Sequence, residues 1–142
     1  DHNSAVGLLT TIKYDLIFLD LRFGQEDHID RRVQNFGGYK LLNEYIRTSF
    51  YSINFSTPVI LFTASNKIWN VISMLDQGVD SYYIKEHPDT SFDLDFSRNN
   101  VIRLKKDVPE MIKLGYERNL VWDLCQNIIT IAKKISLLRT EF

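Results

Sequence analysis

The stretch Tyr14-Asp-Leu-Ile-Phe-Leu-Asp20-Leu-Arg22 holds a short apolar run, residues 16–19, that stops on an acid. A run this short and this rich in β-formers reads as a strand buried on both faces, as in a parallel sheet. In open α/β sheets the ligand crevice lies beyond the carboxyl ends of the strands, so Asp20 stands at a candidate site. Two later runs end in the same manner: Pro58-Val-Ile-Leu-Phe-Thr63 on a hydroxyl and Ser81-Tyr-Tyr-Ile-Lys85 on a cation. Parallel alignment of the three brings Asp20, Thr63 and Lys85 to one edge of one sheet. An acid, a hydroxyl and an amine together suit a phosphoryl group, and the acid also suits a metal ion.

Helical patterns separate these runs. Ala5, Leu8, Leu9 and Ile12 recur at helical spacing behind Asp1-His-Asn-Ser4, a capping sequence. Gly37-Gly38 opens a second helix, with Leu41, Leu42, Tyr45 and Ile46 on one stripe, expected to end near Phe50. Ser65-Asn66 caps a third, which carries Ile68, Trp69, Val71, Ile72, Met74 and Leu75 and stops at Gly78. Helix and strand alternate, so the crossovers are right-handed and the sheet parallel. Residues 23–36 lack a period and read as a polar loop. Glu26, Asp27, His28 and Asp30 within it match no defined metal-ligand spacing. Residues 86–97 read as a second loop. Residues 98–116 and 118–139 read as two helices, with Pro109 as a kink or a new first turn. The last has a broad apolar stripe, fit either for core packing or for a partner or dimer face. The expected organisation is an α/β domain over residues 1–90 and a helical extension over 91–142, packed on that domain or on a partner.

The 142 residues are 44% hydrophobic and 13% aromatic, enough for one domain with a real core. A net charge of −1 gives no global field for nucleic acid or a membrane surface. No apolar run approaches the ~18–20 residues of a membrane span, and no secretory leader pattern is visible. Cys125 is the single cysteine, which excludes an internal disulfide and fits a reducing cytoplasm.

Taken in order, Asp15-Leu-Ile-Phe-Leu-Asp20-Leu-Arg, Gly38 with Leu41-Leu42 and Ile46-Arg47, Pro58-Val-Ile-Leu-Phe-Thr63-Ala, and Gly78-Val-Asp-Ser-Tyr82-Tyr-Ile-Lys85 resemble the receiver domain of bacterial two-component response regulators. The resemblance covers roughly residues 5–87. It implies a flavodoxin-like (CheY-like) parallel sheet. It implies Asp20 as phosphoacceptor for a histidine kinase or phosphotransfer protein. Thr63 and Lys85 would bind phosphoryl oxygens, and Tyr82 would be the aromatic that swings inward on activation. Mg²⁺ would be held by Asp20 and the Leu21 carbonyl, and output would pass to a downstream protein partner.

The pattern also departs from the family. Receivers open with a strand ending in an acidic pair that completes the Mg²⁺ site, and no such pair precedes Asp20 here. The first strand, first helix and second strand of the family have no counterpart here, so the expectation is either a receiver truncated at its N-terminus or a protein that lacks them, with the Asp20 strand as an apolar edge. The alternative function is a phosphorylation-independent pseudo-receiver, an interaction or dimerisation module. An aspartate-nucleophile phosphatase is disfavoured, because the position two after Asp20, where such enzymes need an acid, is Arg22. The receiver reading makes the protein a self-phosphorylating acceptor at most, not an enzyme.

Overall fold

A computed structural model describes residues 1–22, 32–63, 68–85 and 94–140. Among these residues four α-helices, α1 (His2–Thr11), α2 (Gly37–Leu41), α3 (Ile68–Asp76) and α4 (Leu94–Thr140), accompany three strands, β1 (Ile17–Asp20), β2 (Val59–Thr63) and β3 (Ser81–Ile84). The strands form one parallel sheet in the order β1-β2-β3, with Asp20 beside Phe62 and Thr63 beside Ile84. The chain is thus an α/β protein, as the alternating pattern requires.

Local chemistry sets most boundaries. Asp1 caps α1 by accepting the Ser4 N–H at 2.8 Å. The helix ends where Ile12 turns extended, at φ −119° and ψ 130°. Gly78 lies at φ +92°, a conformation open to glycine at little cost, and it stops the chain after α3 as expected. The Ser65-Asn66 cap falls outside the described residues, as do Glu26, Asp27, His28 and Asp30.

Three expectations need correction. The second helix does not reach Phe50. After α2 it widens into a π-helical turn, Leu42–Ile46, closed by Arg47 N–H donating to the Leu42 carbonyl at 2.7 Å. It ends at Arg47, whose backbone leaves helical geometry at φ −104° and ψ 4°, while its guanidinium donates to the carbonyls of Phe55 (2.6 Å), Thr57 (2.9 Å) and Gly78 (3.1 Å). The loop assigned to 86–97 is already helical from Leu94. Finally, the two tail helices are one helix of 47 residues with Pro109 inside it. Gly115 does not break that helix. It marks a close approach, since a Cβ there would lie 2.9 Å from Pro58 Cδ and 3.1 Å from the Asp15 carbonyl oxygen.

The two sheet faces are covered unequally. Leu19, Val59 and Leu61 join Leu9, Leu41, Leu42, Ile46 and Met74 in one core beneath α1, the α2 segment and α3. On the other face α4 reaches β3, where Ser81 Oγ meets Asp107 Oδ2 at 3.3 Å. It then passes the base of β2, where Gly115 abuts the Pro58 ring. Phe18, on edge strand β1, stays half exposed.

Candidate functional site

Parallel pairing sets the ends of β1, β2 and β3 side by side, so Asp20, Thr63 and Lys85 share one sheet edge. Lys85 Nζ lies 2.5 Å from Asp20 Oδ2, and both side chains remain about one-third exposed. A pair this accessible adds at most ~1 kcal/mol to stability, so its value lies in the charges it holds together. Lys85 also passes 5.0 Å above the Phe62 ring, whose other neighbours are Phe18 and Tyr83. These rings wall the site on the α4 side. Thr63 is buried at the end of β2, and its carbonyl accepts the Lys85 N–H at 2.7 Å, which holds the lysine backbone against the central strand.

The Asp20–Leu21 backbone is clamped from below. Gly38 N–H donates to the Leu21 carbonyl at 3.1 Å, and a Cβ on Gly38 would overlap the Asp20 carbonyl oxygen and lie 2.8 Å from that of Leu21. Only a glycine lets the start of α2 approach the acid-bearing turn this closely. Asp20 Oδ1 accepts the Arg22 N–H at 3.3 Å. The Arg22 guanidinium stacks on Phe36 at 4.8 Å, and its buried Nε has no hydrogen-bond partner among the described residues. Sequence reasoning used Arg22 only to disfavour a phosphatase. The structure gives its backbone N–H to Asp20 and lays its guanidinium on Phe36.

Tyr82 lies away from this edge, beside Leu61 in the sheet. Its ring packs against the core and carries the Arg103 guanidinium of α4 at 4.5 Å.

A second polar centre, not anticipated from the sequence, occupies the opposite end of the strands. Asp80 Oδ2 accepts the Val59 N–H at 2.8 Å and an Arg47 N–H at 3.2 Å, and Oδ1 meets Arg118 at 2.5 Å. Burial pushes the Arg47 guanidinium below its ordinary pKa, against the opposing pull of Asp80. The arrangement ties β2, β3, the α2 segment and α4 together and is structural.

Among the described residues no group of three or more His, Cys, Asp and Glu side chains is placed to hold a metal ion. Asp20 is already engaged by Lys85 and Arg22, and the Leu21 carbonyl by Gly38. These residues alone do not fit a divalent cation, which prefers several oxygen ligands. No helix among the described residues is long and apolar enough to cross a membrane.

No family model matches the chain, and no curated protein is similar enough to count as a relative.

Proposed function

We propose that the protein is a receiver module of a phosphorelay, in which Asp20 accepts a phosphoryl group and the change at this sheet edge alters contacts with another protein. The single observation that supports this reading is the Asp20–Lys85 ion pair at the carboxyl edge of a parallel sheet, with Thr63 ending the strand between them. The order β1-β2-β3 is compatible with the last three strands of a flavodoxin-like sheet, and we adopt that topology as part of the proposal.

In the proposed step an Asp20 carboxylate oxygen attacks phosphorus. The bond from phosphorus to the donor, a phosphohistidine nitrogen or the acyl oxygen of acetyl phosphate, breaks, and the leaving group keeps the electron pair. Charge on the phosphoryl oxygens is met by the Lys85 ammonium, which moves from carboxylate to phosphoryl oxygen, with Thr63 as the hydroxyl partner. The receiver reading also implies Mg²⁺, for which Asp20 and the Leu21 carbonyl by themselves offer too few free oxygens. A histidine kinase or phosphotransfer protein as donor, a downstream protein as partner and a cytoplasmic location complete the reading.

The absence of a metal-ready cluster among the described residues favours one second reading, a pseudo-receiver that works without phosphate. Intact mass after incubation with acetyl phosphate and Mg²⁺ separates the two. A single phosphoryl addition that is lost in Asp20→Asn supports the acceptor. No addition, or an addition that survives Asp20→Asn, overturns it.

A further inference from the structure

The distal half of α4 carries two faces with different uses. Gly115, Asn119, Trp122, Gln126 and Lys133 turn toward the domain. Asn119 Oδ1 meets Ser56 Oγ at 2.6 Å, Trp122 Nε1 and Gln126 Nε2 donate to the Phe50 carbonyl at 2.8 and 3.2 Å, and Lys133 lies 5.3 Å over the Tyr51 ring. A different set, Val121, Leu124, Ile128, Ile131, Ile135 and Leu138, repeats at alternating steps of three and four, the period of a coiled-coil seam. At ~100° per residue the two faces lie roughly 180° apart, so a helix docked by the first presents the second away from its own domain, with Val121 at the near end also bordering a cleft beside Phe50 and Phe55. All six seam residues are indeed exposed, from 49% at Ile135 to 63% at Val121.

We propose that residues 121–138 of α4 pair with the same segment of a second copy of this chain as a parallel, in-register, two-stranded coiled coil. The choice of occupant follows from the layers themselves. Val121, Ile128 and Ile135 put a β-branched side chain at every a position, and Leu124 and Leu138 put leucine at two of three d positions. That combination selects two strands in parallel coiled coils. Identical layers stack a on a and d on d only when the partner is the same sequence in the same register. Six half-exposed side chains offer on the order of 600 Å² per copy. Leu120 on the flank, 72% exposed, brings the total toward the ~800 Å² per partner of a standard interface. A seam of this kind also accounts for a helix that continues to Thr140 with little domain contact, since isolated helical turns are marginal in water. In this register Lys134 faces Arg139 of the second copy across the flank. That exposed like-charge contact costs little, and added salt tightens the pair.

The association does not depend on whether Asp20 takes phosphate. Sedimentation equilibrium on the full chain tests it. The expected result is a dimer at low micromolar concentration, strengthened by salt. Ile128→Lys and Ile128→Glu should each weaken it at least 100-fold with circular dichroism unchanged, and an equimolar mixture of the two should regain affinity. Leu137→Glu, equally exposed but off the seam, should leave it intact. A monomer at 200 µM, a Leu137→Glu variant as weak as the seam variants, or a mixture no tighter than its components would overturn the proposal.

Discussion

Replacing glycine by alanine at three helical positions gives opposite signs for a reason visible in the packing. Helix propensity alone makes every such change stabilising, by about 1 kcal/mol. Gly7 in α1 has nothing within 4 Å of an added Cβ, so Gly7→Ala should realise most of that gain. Gly115 in α4 would bring its Cβ to 2.9 and 3.1 Å from the Pro58 ring and 3.1 Å from the Asp15 carbonyl oxygen. Overpacking of this kind costs ~1–3 kcal/mol, so Gly115→Ala should lose about 1 kcal/mol net. Gly38 is the severe case. Its Cβ would overlap backbone atoms of Asp20 and Leu21, which no rotamer change can move, and relief means lifting α2 off β1. That adds the loss of the Gly38–Leu21 hydrogen bond, ~1 kcal/mol, to the overpacking. Net of the helix gain, Gly38→Ala should lose about 2 kcal/mol, or roughly 6 °C in Tm for a chain of this size. Urea titrations followed by circular dichroism would rank the three. If Gly38→Ala proved as stable as the parent chain, the clamp beneath Asp20 described above would be wrong.

Asp80→Ala should cost about 3 kcal/mol or more, because it strips the partner from the buried Arg47 guanidinium and the acceptor from Val59 N–H. Arg118→Ala, which removes a partner 40% exposed, should cost under about 1 kcal/mol in the same titration. Asn54→Ala should cost about 3 kcal/mol. It abandons the Leu9 and Ile12 carbonyls and the Tyr14 N–H at a site with no solvent exposure. Burial holds the Lys13 ammonium below its ordinary 10.5, opposed by Asp123 and Asp15 and reinforced by Arg47. Between that lowered value and 10.5 the unfolded chain binds more protons than the folded one, so this group's contribution to stability rises with pH there. The stability difference between the parent chain and Lys13→Met should therefore move in favour of the parent as pH climbs toward 10.5. A flat difference would contradict the assigned burial.

The residues themselves determined the alternation of helices and short apolar runs, and with it the parallel sheet. β-Formers bounded by Asp20, Thr63 and Lys85 have no other economical arrangement, so the shared edge was legible before any fold was known. Glycine chemistry was legible at Gly78, where a left-handed turn is a local matter. It was not legible at Gly38 or Gly115, because what they avoid, the Asp20–Leu21 backbone and the Pro58 ring, is far away in sequence. The same holds for Arg47 and Asp80. Read locally, Arg47 continues a helix, yet its guanidinium reaches carbonyls 7 to 31 positions away, partners that no local pattern pairs with it. The apolar stripe of the tail was plain in the sequence, but whether it was core or an outer face was not. Periodicity reports that a face is apolar and cannot say which body meets it. Only the docking of Trp122 and Gln126 on the Phe50 carbonyl turned residues 121–138 outward, because the face a helix offers its own domain is settled by long-range contacts and not by its repeat.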